Sequence, residues 1–222
     1  MAGAMSRVDF APLLADDPVI AVLRAGHARE YPTVIDALLG GGVRAIELTL
    51  STAGTMEQIA SLVDEFGDAV IGLGTVTTAA QAETAIGSGA KFIVTPTAEL
   101  DVIRVACEAG VPVFPGGLTP TELYRCWAAG ASAVKLFPAS VVGPRYIADI
   151  RGPFPDMAII PSGGVGLDDV EPWIAAGAPA VSVGGPLLGD AFSGGDLVAL
   201  SVRARQFRTA AADALAQRKT VR

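Results

Sequence analysis

Residues 131–139 read ASAVKLFPA, and this apolar run predicts a short buried β-strand that carries one lysine, Lys135. A lysine is rarely buried without a partner, because removing an ammonium group from water costs several kcal/mol. Burial also favours the neutral amine, which is the form that attacks carbonyl groups. Two interpretations of Lys135 follow: a lysine that forms a Schiff base, or a strand-end lysine whose amine reaches solvent.

Short apolar runs of this kind recur along the chain and alternate with helical patterns. Eight of them are predicted as strands, at residues 18–24, 43–50, 69–73, 91–95, 111–114, 132–137, 157–160 and 180–183. They are continuously apolar, as the strands of a parallel sheet buried on both faces must be. Several follow a glycine that suits a helix C-cap, at Gly89, Gly110, Gly130 and Gly177. This order favours an α/β fold of the (β/α)8 TIM-barrel type over an open doubly wound sheet, which stays an alternative.

No shift in composition marks a domain boundary, so the sequence predicts a single barrel domain over residues 1–222. A short N-terminal segment, residues 1–17, precedes the first strand. A long C-terminal helix is expected from about residue 196 to 218.

Composition and charge exclude several classes of partner. The net charge of −7 argues against nucleic acid and anionic membranes, which attract basic surfaces. No apolar run reaches the roughly 18 residues of a membrane span, and the N-terminus lacks the pattern of a signal peptide. Cys107 and Cys126 have no metal-type spacing, which indicates reduced thiols in a cytoplasmic protein. Any Ser-His or Cys-His catalytic arrangement would depend on the only histidine, His27.

In a (β/α)8 barrel the active site lies at the C-terminal ends of the strands, so polar residues there are candidates. In chain order these ends give Arg24, Glu47, Thr49, Thr75, Thr95, Pro96, Pro115, Gly116, Gly117, Lys135, Phe137, Ser162, Gly163, Gly164, Gly184 and Gly185. Glu47 and Lys135 lie inside apolar strands, where a single charge is costly and a pair is tolerated. Glu47 is therefore either the proton carrier that imine chemistry needs or an ion-pair partner for Lys135 or Arg24.

Glycines follow the seventh and eighth predicted strands and leave backbone N–H groups free ahead of helices. Barrels of this type commonly bind phosphate there, although glycine-rich loops are also ordinary turns. The sequence thus offers two interpretations of Ser162, Gly163, Gly164, Gly184 and Gly185, a phosphate site or plain turns.

Several of these motifs occur together, in order and at matching spacing, in one known family. They are IELTL at 46–50, GLGTV at 72–76, PG at 115–116, VKLFPA at 134–139, PRY at 144–146 and SGGV at 162–165. Over residues 18 to 190, roughly, the chain resembles the 2-keto-3-deoxy-6-phosphogluconate (KDPG) aldolases. That family includes the aldolases of 2-keto-3-deoxy-6-phosphogalactonate and of 4-hydroxy-2-oxoglutarate.

The resemblance implies a class I aldolase that needs no metal and no cofactor. Lys135 would form an imine with the substrate ketone, and Glu47 would shuttle protons. Arg24 and Thr75 would bind the substrate carboxylate. Phe137 would pack beside the imine, and the pocket would include Thr49, Thr95, Pro96, Pro115 and Gly116. The implied substrate is KDPG, cleaved to pyruvate and glyceraldehyde 3-phosphate, and the implied assembly is a homotrimer.

Two positions depart from the family pattern. Ser51 stands where many members carry arginine, while Arg24 matches the galactonate branch. Pro186 stands where many members carry a serine that donates to phosphate, and proline lacks both a hydroxyl and a backbone N–H. The same chemistry on phosphogalactonate, hydroxy-oxoglutarate or an unphosphorylated acid therefore stays open. Outside this class, the alternatives are a non-covalent phosphate-binding isomerase or epimerase with Glu47 as base, and a non-catalytic barrel that binds sugar acids or serves only in assembly.

Overall fold

A computed structural model of the chain describes residues 7–14 and 17–220. The strands are β1 (Val19–Leu23), β2 (Ala45–Thr49), β3 (Val70–Gly74), β4 (Ile93–Val94), β5 (Val113–Phe114), β6 (Gly116–Gly117), β7 (Val134–Leu136), β8 (Ile159–Pro161) and β9 (Val181–Val183). The α-helices are α1 (Ala11–Leu14), α2 (Tyr31–Gly40), α3 (Thr55–Glu65), α4 (Ala79–Gly87), α5 (Leu100–Glu108), α6 (Pro120–Ala128), α7 (Arg145–Arg151), α8 (Val170–Ala175), α9 (Gly185–Leu188) and α10 (Leu197–Thr220). Short 3-10 helices cover Ala28–Glu30, Ala139–Val141, Leu167–Asp169 and Ala191–Ser193.

The strands pair in parallel and close into a barrel. One sheet has the order β5-β4-β3-β2-β1-β9 and the other has the order β6-β7-β8. Pro115 alone separates β5 from β6, so these two are halves of the fifth barrel strand. A bridge between Ser162 and Ser182 joins the ends of the two sheets on the other side. The sequence prediction of a (β/α)8 barrel is confirmed.

The fifth strand is where the sequence prediction stops furthest short of the observed end. It ends at residue 114, whereas the structure continues into β6 after Pro115. Proline lacks the N–H that a central strand donates, so it reads as a strand end in the sequence. In the barrel its carbonyl accepts a hydrogen bond from Lys135 N at 2.8 Å, and the strand changes partner from β4 to β7 at this point.

Alternate residues of each strand point into the barrel and form layers. An apolar layer at the lower, N-terminal end of the strands contains Ile20, Ala45, Phe92, Phe114, Ala133, Ile160 and Ala180. Leu14 of α1 packs against this layer, with Phe10 edge-on to Phe114 at 5.7 Å. Two residues further along β2 and β7 come Glu47 and Lys135, which therefore also face the interior.

The helices cover the outside of the barrel. α10 packs against α2 and α8, and Ser201 Oγ donates a hydrogen bond to Ala37 O at 2.6 Å. A side chain at Gly41 would meet Ser201 O at 2.5 Å, so only glycine permits this close approach of the two helices. The C-terminal helix predicted for residues 196–218 is observed over nearly the same range. Of the N-terminal segment 1–17, residues 1–6, 15 and 16 lie outside the described residues.

Candidate active site

Lys135 and Glu47 meet inside the upper end of the barrel. Nζ of Lys135 lies 3.7 Å from Oε1 of Glu47, and the two residues are only 8% and 1% exposed. The distance permits electrostatic attraction, although it is too long for a hydrogen bond. Oε2 of Glu47 has no hydrogen-bond partner among the described residues. A buried carboxylate with an unused oxygen beside an amine is well placed to accept and release protons.

The side chain of Glu47 occupies space beside Gly74, the last residue of β3. A Cβ at Gly74, which pairs with Thr49 in the β2–β3 register, would lie 2.0 Å from Oε1 of Glu47. Any side chain at this position would therefore occupy the space of the carboxylate. The glycine that ends β3 is what gives Glu47 its room.

Thr75 follows directly after Gly74 and has an unusual backbone. Its φ is +61°, and it is the only non-glycine residue with positive φ in the described part of the chain. A β-branched residue in this region costs about 1–3 kcal/mol, and such strain is commonly found at functional sites. The conformation turns the chain at the mouth of the barrel, where Thr75 lines the cavity.

The cavity has a volume of about 450 Å³ and lies at the carboxyl ends of the strands. Eleven of the predicted site residues line it: Arg24, Glu47, Thr75, Pro96, Lys135, Phe137, Ser162, Gly163, Gly164, Gly184 and Gly185. The ring centroid of Phe137 is 5.3 Å from Nζ of Lys135, so this ring shields one side of the amine. Arg24 is exposed at the end of β1 and supplies the second cation of the lining.

The far wall of the cavity is made of glycines. Gly163 and Gly164 have φ of +87° and +81°, and a Cβ at Gly163 would lie 3.0 Å from the ring of Phe137. Ser162 Oγ shares a 3.1 Å hydrogen bond with Ser182 Oγ. Gly184 and Gly185 begin the short helix α9, whose first turn contains Pro186. This part of the lining presents backbone groups, whereas Arg24, Glu47 and Lys135 present charged side chains.

Four predicted pocket residues are absent from the lining. Thr49 donates a hydrogen bond to Leu23 O at 2.9 Å, so its hydroxyl faces the neighbouring strand. Thr95 is fully buried and accepts a hydrogen bond from Gly116 N at 3.2 Å. Pro115 and Gly116 belong to the split fifth strand, and a Cβ at Gly116 would lie 2.3 Å from Pro96 O. Among the described residues, these four stand behind the wall and support it.

Several lining residues of the structure are not predicted from the sequence. Val22 is the inward-facing residue of β1, and Leu188, Gly189, Phe192 and Ser193 follow the last strand. Strand alternation could have indicated Val22, because it lies two residues after Ile20. The segment after β9 carries no motif, so its folding back over the cavity could not be read from the chain.

His27, Cys107 and Cys126 are not among the residues that line the cavity. His27 Nδ1 accepts a hydrogen bond from Arg29 N at 3.2 Å and caps the 3-10 helix Ala28–Glu30, outside the cavity lining. Cys107 and Cys126 are free thiols, and burial raises the pKa of Cys126 to about 11. Within residues 7–14 and 17–220, no group of His, Cys, Asp and Glu is arranged to hold a metal ion. None of the described helices is long and apolar enough to cross a membrane.

Comparison with known proteins agrees with this geometry. The family model described as "Aldolase: KDPG and KHG aldolase" matches residues 11–199. The 2-dehydro-3-deoxy-6-phosphogalactonate aldolase of Escherichia coli K12 is 37% identical over 172 residues, which cover 77% of this chain and 84% of that protein.

Two solved structures are also similar. A KDPG aldolase from Legionella pneumophila, with pyruvate captured at low pH as a covalent carbinolamine, has a TM-score of 0.81 at 25% identity and covers 87% of this chain and 95% of its own. A cube-shaped protein cage designed by fusing symmetric oligomeric domains has a TM-score of 0.84 at 32% identity and covers 92% of this chain and 75% of its own.

Proposed function

The chain belongs to the KDPG and KHG aldolase family of lyases, and on this premise we propose that it cleaves a 2-keto-3-deoxy-6-phospho sugar acid to pyruvate and glyceraldehyde 3-phosphate through an imine on Lys135. The observation that carries the proposal is the buried Lys135–Glu47 pair, 3.7 Å apart, in the wall of the cavity. A partner carboxylate makes the buried amine tolerable, and the cavity gives a ketone access to it.

The first step is addition of the Lys135 amine to the C2 ketone, which forms a carbinolamine. Loss of water, with Glu47 supplying a proton to the departing hydroxyl, gives the imine. The captured carbinolamine of the Legionella relative supports this step. Arg24 and Thr75 hold the substrate carboxylate, which a guanidinium can bind with two hydrogen bonds.

The second step is cleavage of the C3–C4 bond. Glu47 removes the proton of the C4 hydroxyl, the C4 oxygen becomes the aldehyde carbonyl, and the electrons of the broken bond pass into the protonated imine to give an enamine. Protonation at C3 and hydrolysis then release pyruvate and regenerate the amine. The Phe137 ring, 5.3 Å from Nζ, helps to exclude water from the enamine.

For the substrate, we propose the galactonate epimer in place of the gluconate epimer that the family resemblance implies. Arg24 occupies the position typical of the galactonate branch, and the relative at 37% identity is named for that epimer. The C6 phosphate would lie at the glycine wall. Among the backbone hydrogen bonds of the described loops and turns, none has the N–H of Gly163 or Gly164 as its donor, so both groups can donate to a phosphate. Relative to members with serine, Pro186 removes two donors from this wall, a hydroxyl and a backbone N–H, and predicts weaker phosphate binding.

Borohydride trapping tests the reaction class. The chain has three lysines, Lys91, Lys135 and Lys219, so peptide mapping assigns an adduct without ambiguity. We expect incubation with pyruvate and sodium borohydride to give one reduced adduct, on Lys135, and none in Lys135→Met. Folded wild-type protein without an adduct would contradict the proposal and favour the non-covalent isomerase.

Cleavage rates test the substrate. We expect kcat/KM for 2-keto-3-deoxy-6-phosphogalactonate to exceed that for its gluconate epimer, and dephosphorylation of either substrate to raise KM more than it lowers kcat. A preference for the gluconate epimer would instead support KDPG, the substrate that the family resemblance implies. Equal KM values for the phosphorylated and dephosphorylated substrates would contradict phosphate binding at the glycine wall.

We also propose that the chain forms a homotrimer of single-domain barrels in the cytoplasm. The similar chain in a cage made of symmetric oligomeric domains supports a symmetric oligomer, and the free thiols of Cys107 and Cys126 suit a reducing compartment. Light scattering on the purified protein tests the assembly, with three copies as the expected result.

A further inference from the structure

The carboxylate-binding arginine depends on its main chain for its position. Arg24 is the first residue after β1, its side chain is exposed, and no hydrogen bond or ion pair of its guanidinium occurs among the described residues. The last residue pair in the β1–β2 register is Leu23 with Leu48. Arg24 therefore lies just beyond this ladder, and the next backbone contact between the two segments is the hydrogen bond from Ala28 N to Ala53 O, at 2.8 Å.

Two threonine hydroxyls hold the backbone on both sides of Arg24. Thr49 Oγ1 donates to the carbonyl of Leu23 at 2.9 Å, and Thr52 Oγ1 accepts from the N–H of Ala25 at 3.0 Å. The carbonyl before Arg24 and the amide after it are thus both bound to side chains from the end of β2. These two hydrogen bonds continue the attachment of β1 to β2 past the point where the ladder ends.

A hydrogen bond also joins the two hydroxyls, and its direction is set by the other bonds that they make. Thr49 uses its single proton on Leu23 O, so its oxygen can only accept from Thr52 Oγ1, which is 3.5 Å away. Ser51 Oγ, which stands where many relatives carry arginine, also donates to Thr49 Oγ1, at 3.1 Å. The group therefore has one consistent donor-to-acceptor order, which restricts rotation of the hydroxyls.

The group is anchored in the dry interior of the protein. Thr55 Oγ1 donates toward the carbonyls of Thr49 and Thr52, at 3.1 and 2.9 Å, and shares a 3.1 Å hydrogen bond with Tyr31 Oη. Thr49, Thr52, Thr55 and Tyr31 are each 2% exposed or less. Water replaces a lost hydroxyl poorly at this depth, so removing that of Thr52 leaves the partly buried N–H of Ala25 without this partner.

We infer that Thr52, acting through Thr49 and the backbone of residues 23–25, is a positioning residue that holds Arg24 in place for the substrate carboxylate. The inference rests on the proposed role of Arg24 and adds a residue that contacts neither substrate nor Lys135. A carboxylate clamp needs a fixed guanidinium, because displacement of a binding group by about 1 Å can cost about 100-fold in rate. The hydroxyl pair provides that fixation between the end of the β1–β2 ladder and the backbone bridge of His27 with Ala53.

The test is Thr52→Val, which keeps the shape of the side chain and removes the acceptor. We expect it to raise the KM, and the pyruvate concentration that gives half-maximal borohydride trapping, about fivefold, which corresponds to the loss of one hydrogen bond of about 1 kcal/mol. We expect kcat to change much less. Thr52→Ser restores the hydroxyl and should restore KM. Thr78→Val, which removes the N-cap of α4 outside the cavity lining, is the matched control and should leave KM unchanged.

A double-mutant cycle with Arg24→Ala separates positioning from a general structural effect. If Thr52 acts through Arg24, Thr52→Val should have no further effect on KM in the Arg24→Ala background. An undiminished effect in that background, or wild-type KM in folded Thr52→Val, would overturn the inference. If Thr52→Val does not fold, Thr52→Cys, which offers only a weak acceptor, gives the same comparison. Absence of any Lys135 adduct in the wild type would instead refute the proposed function.

Discussion

The two ends of the barrel each bury a carboxylate, and the two differ in their partners. Glu47, at the upper end, is 1% exposed and faces the amine of Lys135 in the wall of a cavity. Asp17, at the lower end, is 4% exposed and precedes β1. Its Oδ2 accepts a hydrogen bond from the backbone N–H of Arg44 at 2.5 Å, just before β2.

Burial raises the pKa of Asp17 to about 6, while backbone N–H groups, first that of Arg44, and the positive charge of Arg208 oppose the rise. Asp17 ties the starts of two strands together and is absent from the described lining of the cavity. A buried carboxylate alone therefore does not identify an active site, since both Glu47 and Asp17 are buried. The reactive partner and the cavity distinguish Glu47 from Asp17.

The largest expected effect comes from removing the partner of Glu47. Lys135→Met should abolish cleavage, because no nucleophile remains for the imine. It should also lower the free energy of unfolding by about 3 kcal/mol at neutral pH, since it leaves a buried carboxylate unpaired. Turnover assays and urea unfolding measure the two effects. Adding Glu47→Gln should recover stability but not activity, and residual imine-dependent turnover would contradict the assignment of Lys135.

The next effect compares the two carboxylates directly. Glu47→Gln should lower kcat by about 10²–10⁴-fold, the usual contribution of a general acid–base group. Asp17→Asn makes the same chemical change at the other end of the barrel and should leave kcat unchanged. Steady-state kinetics on both variants decide the comparison, and equal losses of kcat would refute the distinction between the two ends.

The smallest effect is on the pH dependence of stability. A carboxyl group whose pKa is higher in the folded state stabilises the fold when protonated, and this contribution is lost as the pH rises through its folded pKa. The unfolding free energy of the wild type relative to Asp17→Asn should therefore fall by about 3 kcal/mol between about pH 4 and pH 7. Urea unfolding of both proteins across this range measures it. A difference that stays constant or increases with pH would contradict the raised pKa.

Much of the barrel and the central pair could be predicted from the chain, because both depend on local patterns. Continuous apolar runs between glycine-capped helices indicate buried parallel strands, and a charged residue inside such a run has few explanations. Lys135 and Glu47 stand out for this reason. Pro115 misled the prediction locally, because its missing N–H looks like a strand end until the strand on its other side is known.

The sequence by itself determined which residues stand at the carboxyl ends of the strands, since strand order and alternation follow from the hydrophobic pattern. Only the tertiary structure decided which way their hydroxyls point. Thr49 and Thr95 turn to neighbouring backbone, while Thr75 lines the cavity with a positive φ. It also decided that Phe192 and Ser193 line the cavity and that the carboxylate of Asp17 accepts a hydrogen bond from Arg44 N. The physical reason is that each of these contacts depends on partners distant in sequence, whose positions exist only once the barrel has closed.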